Sequence, residues 1–448
     1  MSFVPIIKNV VQNFPEPLGF VISHIPYSLR PGFGKGYKNH RHDMIYYDKL
    51  NQLDKKHFIF QRVYKIVDYA IHNVEFYKQF YKTYGFSLTH LKSFEDIKNI
   101  PIVTKKDLVS VGIEKRSALQ KGRYIQNTGG SSGQTLEFYI TPNLISQEWA
   151  HMHKIWEKVG YRQRYLKLGF GGMNLKEKPI CYDGLRHQYS VNIYKSFQEV
   201  SALLSKILSR LDIKYIHGYP SAIYEFACFC ENDSELLRSL SAKLKGCFLA
   251  SEYPNPIFRN KIESVFSIPT VSWYGHTERA ILAWEKEQPF VYHPFQTYGY
   301  CEAVVDSDGK NKLIGTSYLN MSSPFIRYDT GDMVEPVDNE KGLLKSFRIE
   351  AGREGDFITD KRGKKIPLTG FIFGRHHKIF EIAQYVQIMQ KVSGKASVFV
   401  TPRKELSGDI TWQKWFDSEG VDIVLDFKII EKPVRSPSGK VVLKIQQG

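Results

Sequence analysis

Apolar residues along this chain recur at two spacings, and the points where one gives way to the other mark out its elements. After Phe58, the positions Val63, Ile66, Val67, Ala70 and Ile71 follow helical intervals, which predicts an amphipathic helix running toward Val74. Val200, Leu203, Leu204, Ile207, Leu208 and Leu211 make the clearest helical stripe. Around it, residues 165–170, 213–217, 246–250 and 270–274 read as buried strands, with helices beginning near Ala222 and ending about Phe266. Repeated strand, helix, strand units predict parallel strands in a doubly wound sheet. From 291 to 319 the texture is strands alone, with a turn at Ser307-Asp308-Gly309, which suggests a small β subdomain. Residues 385–400 read as a hairpin about Ser393-Gly394, 410–418 as a short helix and 421–430 as a strand. Residues 91–112 read as short helical pieces joined at Pro101. Residues 1–55 show no sustained periodicity and are expected to wrap a larger body. The expected fold is α/β: a large N-terminal domain, 1–352, with doubly wound mixed sheets and a small β subdomain, then a small mobile α+β lid, 353–448.

Composition narrows this picture without changing it. The 448 residues, 42% hydrophobic and 24% charged, are those of an ordinary globular protein. No apolar run approaches the roughly 18 residues of a membrane span, and the N-terminal stretch is too short and interrupted for a signal peptide, so a cytoplasmic location is expected. Five cysteines, an odd number, fit a reducing compartment and packing thiols; Cys228 and Cys230 diverge on a helical segment without a second pair for zinc. The net charge of +16 is spread along the chain, with short clusters at 361–365 and 432–444. Nucleic-acid binding is therefore the weakest reading, and no nucleic-acid partner is expected.

Candidate chemistry gathers first in residues 124–142. Gly129, Gly130 and Gly133 stand among the hydroxyls of Thr128, Ser131, Ser132 and Thr135, a composition that can turn several backbone N–H groups toward one phosphate. A ligand-free hairpin turn is the plain alternative. Strand-like alternation follows at Leu136, Phe138 and Ile140, and no Gly-Lys-Ser/Thr follows the glycines, so this is not a Walker loop. Polar residues and glycines also collect where the predicted parallel strands end: Gly218-Tyr219-Pro220-Ser221, Ser251-Glu252 and Gly275-His276-Thr277-Glu278. Each could be a strand-to-helix turn with Ser221 or Thr277 as N-cap, but ligands in such sheets sit outside the carboxyl ends, and three such turns at one edge favour a site.

Five collinear stretches together resemble the adenylate-forming (acyl- or aryl-CoA synthetase) superfamily: the 128–133 loop, Tyr274-Gly-His-Thr-Glu278, Arg327-Tyr-Asp-Thr-Gly-Asp332, Gly352-Arg353 with Asp356, and Ser438-Gly439-Lys440. The Asn99-Ile-Pro-Ile-Val-Thr-Lys105 and Gly-Tyr-Pro-Ser221 segments are most similar to the phenylacetate-CoA ligase group. The segment 352–369 resembles its branch found in capsular polysaccharide gene sets. The resemblance implies an ATP- and Mg2+-dependent ligase that activates a carboxylate (aryl, acyl, amino or sugar acid) as acyl-AMP and passes it to the thiol of CoA or to an amine. It implies that Thr128, Gly129, Gly130, Ser131, Ser132 and Gly133 hold the β- and γ-phosphates, that Glu278 binds magnesium with Thr277 beside it on phosphate, that Asp332 holds the ribose, and that Arg353 donates to ribose or phosphate. Tyr274 would pack against adenine, with Gly275 in the same nucleotide site. Lys440, on the lid, would bridge the attacking carboxylate and the α-phosphate, and His276 in the motif's variable slot is a candidate for contact with substrate or nucleophile. The acyl pocket is expected near Gly171, Gly172, Tyr219, Pro220, Ser221, Ser251 and Glu252.

The chain departs from the family at Gly129, usually Ser, at Thr135-Leu136, usually Pro-Lys, and at Gly355, usually acidic. The altered loop supports an alternative reading as a non-catalytic nucleotide-binding homologue.

Overall fold

The structure is a computed structural model that describes residues 14–127, 136–171, 175, 177–193, 195–351, 357–373, 377–403, 411–419, 421–436 and 441–446. The chain divides into two compact units, residues 1–330 with 336–348, and residues 331–335 with 349–448. Of the residues singled out above, Thr128, Gly129, Gly130, Ser131, Ser132, Gly133, Thr135, Gly172, Gly352, Arg353, Gly355, Asp356, Ser438, Gly439 and Lys440 lie outside the described residues.

The first unit opens with helices α1 (Glu16–Ser23), α2 (Gly34–Lys49), α3 (Gln52–Asn73), α4 (Glu75–Thr83) and α5 (Lys105–Val109). Helix α3 is the predicted stripe: Ile59, Val63, Ile66, Val67 and Ala70 are fully buried, and Asn51 caps its start by accepting from the Asp54 N–H. Residues 1–55 thus carry helices that the apolar pattern did not reveal. The reason is a thin inward face, since α2 buries only Gly34, Tyr37 and Met44 of its 16 residues.

Strands β1 (Tyr124–Asn127) and β2 (Glu137–Ile140) pair antiparallel, with Asn127 opposite Glu137. The glycine-rich stretch therefore joins two hydrogen-bonded strands. Helix α6 (Asn143–Glu157) follows, and it too was not legible, because its buried face includes Ser146, Gln147, His151 and His153 beside Ile155 and Trp156. Those polar side chains are satisfied internally: Gln147 Nε2 donates to Tyr298 O (2.7 Å), and His151 Nε2 lies 3.0 Å from Thr297 Oγ1.

The central sheet holds β3 (Leu166–Gly171), β4 (Ile180–Asp183), β5 (Gln188–Asn192), β6 (Ile213–Gly218), β7 (Gly246–Leu249), β8 (Thr270–Gly275), β9 (Leu282–Trp284) and β10 (His293–Pro294). Their order is β10-β9-β8-β7-β6-β3-β5-β4. Strands β5, β3, β6, β7 and β8 run parallel, and antiparallel strands close both edges. Helices α7 (Phe197–Leu208), α8 (Pro220–Cys230), α9 (Ser234–Ser241) and α10 (Pro256–Phe266) lie in the crossovers. Both faces are covered, as doubly wound sheets require: Trp156 of α6 stacks on Phe248 at 4.6 Å, while Phe226 of α8 meets Phe170 at 4.9 Å.

Strands β11 (Gly299–Val305), β12 (Asn311–Ser317), β13 (Tyr328–Glu340) and β14 (Leu343–Ala351) form an all-β sheet in that order; the stretch expected to hold strands alone, 291–319, supplies β11 and β12, while β10 joins the central sheet and β13 and β14 extend the small sheet beyond the expected range. Its first turn is closed by Gly309 at φ +74°. In the second unit β15 (Phe357–Thr359) pairs with β16 (Lys365–Pro367), and α11 (Leu368–Phe373) follows. The predicted hairpin about Gly394 is β17 (Ala383–Val392) with β18 (Lys395–Pro402), and β19 (Val424–Ile429) joins β18 in parallel. The expected helix over 410–418 is, among the described residues, one 3-10 turn at Trp412–Lys414. All five cysteines are free. Among the described residues, no helix is long and apolar enough to cross a membrane.

Candidate functional site

The carboxyl ends of the parallel strands bring several predicted residues together. Strand β6 ends at Gly218, whose φ of +153° and contact with β3 exclude a side chain: a Cβ there would fall 1.9 Å from Phe170 O. The chain then turns so that Tyr219 N–H donates to that same carbonyl at 2.8 Å, and Pro220 starts α8. Ser221 donates its backbone N–H to Glu252 Oε2 and its hydroxyl to Glu252 Oε1, both at 3.0 Å. The turn after β7 thus places a carboxylate on the N-terminus of α8, where orphan N–H groups and the helix dipole favour negative charge. Gly171, Tyr219, Pro220, Ser221 and Glu252 share this edge, while Ser251 is exposed in a left-handed conformation at φ +67°.

One strand over, β8 ends at Gly275 and presents a second carboxylate. Tyr274 is buried, edge-on to Phe347 at 5.8 Å. His276, its side chain 4% exposed, brings Nδ1 within 3.0 Å of Glu278 Oε2. The Ile281 backbone N–H donates to His276 Nε2 at 3.2 Å, so that nitrogen is the acceptor and Nδ1 carries the proton given to Glu278. Tyr328 adds a second donor, its hydroxyl lying 3.2 Å from Glu278 Oε1, and its ring stacks on His276 at 6.4 Å. His276 thus spends Nε2 on the backbone, which fixes the ring, and Nδ1 on the Glu278 carboxylate, which makes it a positioning residue in this geometry. Tyr328 is a member of this cluster that reading by motif missed, although it stands in the Arg327–Asp332 stretch. Thr277 is partly buried beside Glu278.

The arginine of that stretch does different work. Arg327 donates Nε to Glu302 Oε1 (2.7 Å) and NH2 to Glu302 Oε2 (3.1 Å), and its NH1 reaches Lys98 O and Ile100 O, each at 2.6 Å. It fastens the Pro101 connection to the β sheet. Burial pushes the Glu302 carboxyl above its ordinary range, against the pull of Arg327. Asp332 is buried on β13, one residue after Gly331 at φ +75°, and belongs to the second unit.

Among the described residues, no group of three or more His, Cys, Asp and Glu side chains is placed to hold a metal ion alone. Glu278 offers a hard carboxylate oxygen of the kind magnesium prefers, and a magnesium shell is usually completed by water and phosphate oxygens. The residue type fits a metal shared with a nucleotide.

No protein-family model matches the chain. It is 25% identical over 345 residues, 73% of its length and 75% of the relative's, to Protein CapK of Staphylococcus aureus. Among solved structures it is similar to a 2-hydroxyisobutyryl-CoA ligase in the postadenylation state with R3-HIB-AMP, with a TM-score of 0.66, 16% identity, and coverage of 89% of this chain and 90% of that one. The same ligase with 2-HIB-AMP and CoA in the thioesterification state gives a TM-score of 0.55 at 17% identity, covering 88% and 90%. The chain carries the fold of the adenylate-forming CoA ligases.

Proposed function

We propose that this protein activates a carboxylate with ATP as an acyl-adenylate and transfers the acyl group to a second nucleophile, the thiol of CoA or an amine. The observation that carries this reading is Glu278, fixed by His276 and Tyr328 at the carboxyl end of β8, one strand from the Ser221–Glu252 pair. In the first step a carboxylate oxygen of the substrate attacks the α-phosphorus, the bond to the bridging oxygen breaks and pyrophosphate leaves. In the second, the nucleophile attacks the acyl carbon and AMP departs. Negative charge grows on the departing pyrophosphate, and magnesium, when bound, would neutralise it. Glu278 would hold that ion with Thr277 on phosphate, and His276 and Tyr328 keep the carboxylate turned for the task. Thr128 to Gly133 would cradle the terminal phosphates, Asp332 would hold the ribose, Arg353 the ribose or a phosphate, and Tyr274 would pack on the adenine. Lys440, delivered by residues 353–448 acting as a lid, would neutralise the approach of carboxylate to α-phosphate.

The acyl group would lie along the edge formed by Gly171, Gly172 and Tyr219 to Ser221, with Ser251 and Glu252. The likeness to a CoA ligase supports CoA as acceptor, whereas the likeness to CapK supports a place in capsular or surface polysaccharide synthesis, where an amine would yield an amide. A panel of carboxylates scored by pyrophosphate release, with CoA or amines added in turn, tests both halves. Lys440→Ala is expected to abolish release without unfolding the protein, and unchanged release would remove that lysine from the mechanism. Absence of carboxylate-dependent pyrophosphate exchange across the panel would favour the non-catalytic reading.

A further inference from the structure

Far from the strand-end turns, at the opening of β3, lies a small cleft, part of it open to solvent, between α1, α6 and the β4–β5 turn. Its lining includes three cationic side chains, Arg30, Lys167 and Arg186, and not one Asp or Glu. Lys167 is 1% exposed, an unusual position for a lysine. Its ammonium donates to Arg186 O at 2.6 Å and to the Tyr161 hydroxyl at 3.1 Å, so that its third N–H has no oxygen or nitrogen acceptor among the described residues, and the Trp156 ring lies 5.6 Å away. Arg30 lies over the Tyr27 ring at 4.1 Å and donates Nε to Ile25 O and one terminal nitrogen to Ile22 O, each at 3.2 Å, while Arg186 is tied to Asp183 outside the lining.

Like charges gathered out of water repel one another, and an anion among them would relieve that repulsion. Burial pulls Lys167 down to about 7; Asp183 opposes the fall, and Arg186 and Arg30 add to it in smaller measure. His153 and His187, also in the lining, are likewise held neutral, first by burial and then by Lys167. Neither histidine supplies the missing negative charge.

We infer that this cleft binds a small oxyanion of the phosphate or carboxylate class, held by Lys167 and Arg30 with Arg186 at its rim. The site is distinct from the proposed nucleotide site, since Lys167 and Gly171 stand near opposite ends of β3, about 13 Å apart at strand rise. It does not depend on the adenylation reading.

Thermal unfolding of the full chain at constant ionic strength, titrated with sulfate in one arm and acetate in the other, tests it. A saturable rise in the midpoint is expected in at least one arm, and which arm responds identifies the anion class. The rise should vanish in Lys167→Met and fall by at least half in Arg30→Gln. Because Arg30 is only half-buried, its variant keeps the question answerable even if Lys167→Met does not fold. No saturable response in either arm, or an equal response in the wild type and in Arg30→Gln, overturns the inference.

Discussion

The two ends of the parallel strands carry opposite chemistry. At the carboxyl ends, Glu252 and Glu278 are held by donors from neighbouring turns: the Ser221 N–H and hydroxyl for one, His276 and Tyr328 for the other. Near the opening of β3, Lys167, Arg30 and Arg186 line a cleft that contains no carboxylate. The acids at the carboxyl ends stand in turns that follow directly on strands, but of their donors only His276 is local: Ser221 lies 31 residues from Glu252 and Tyr328 50 residues from Glu278. The cations at the other end come from an N-terminal turn, from a strand and from a strand-to-strand turn, and meet only in the folded chain. Both ends are assembled by folding, and only the first has members that a short motif announces.

The largest effect expected separates structural charge from site charge. Arg327 belongs to the same motif as Tyr328, yet its guanidinium is committed to Glu302 and to two backbone carbonyls. Arg327→Met strands a buried carboxylate and should cost about 3–5 kcal/mol in urea unfolding. A loss below about 1 kcal/mol would make this arginine a site candidate rather than a structural one. Glu278→Gln comes next. The amide keeps the shape and removes the charge, so pyrophosphate release should fall by about 10²–10³, the scale for losing one electrostatic stabiliser. Release within about twofold of wild type would show that the carboxyl ends are not where charge is handled.

The cationic end should reveal itself through pH. A lysine titrating near 7 in the fold, against about 10.4 when unfolded, binds fewer protons folded than unfolded between those values. Stability therefore rises with pH across that window and is lost as pH falls back toward 7, by up to about 1 kcal/mol per unit. Urea midpoints measured from pH 7 to 9.5 should climb more steeply in the wild type than in Lys167→Met. Parallel profiles would mean that Lys167 keeps an ordinary ammonium despite its burial.

How much of this could be read beforehand follows from the same contrast. Strands β3, β6, β7 and β8 were legible because each is an apolar run closed by glycine or polar turn residues. Helix α6 was not, since Gln147, His151 and His153 occupy its inward face and find partners only after folding. Likewise α2 buries too few side chains to print a stripe. His276 and Glu278 lay within one recognisable motif, but their link to Tyr328 spans 50 residues and exists only where β8 and β13 approach. Lys167 sits inside a strand read as buried, and nothing in its neighbours announces Arg30 or Arg186.

Tyr328→Phe is the finest test of the contrast. The phenyl ring keeps the stacking on His276 and the contact with Phe325 at 5.1 Å, while the donor to Glu278 is lost. One hydrogen bond to a charged group is worth about 1.5–3 kcal/mol, and with His276 still holding the other oxygen the lower figure, about tenfold, is expected. If Tyr328 orients a metal-binding carboxylate, the tenfold loss should lie in the magnesium concentration needed for half-maximal pyrophosphate release, and excess magnesium should restore the rate. A rate that stays low at saturating magnesium would instead assign the hydroxyl to the reacting groups, and an unaltered magnesium dependence at full rate would leave His276 as sufficient to hold Glu278 in place.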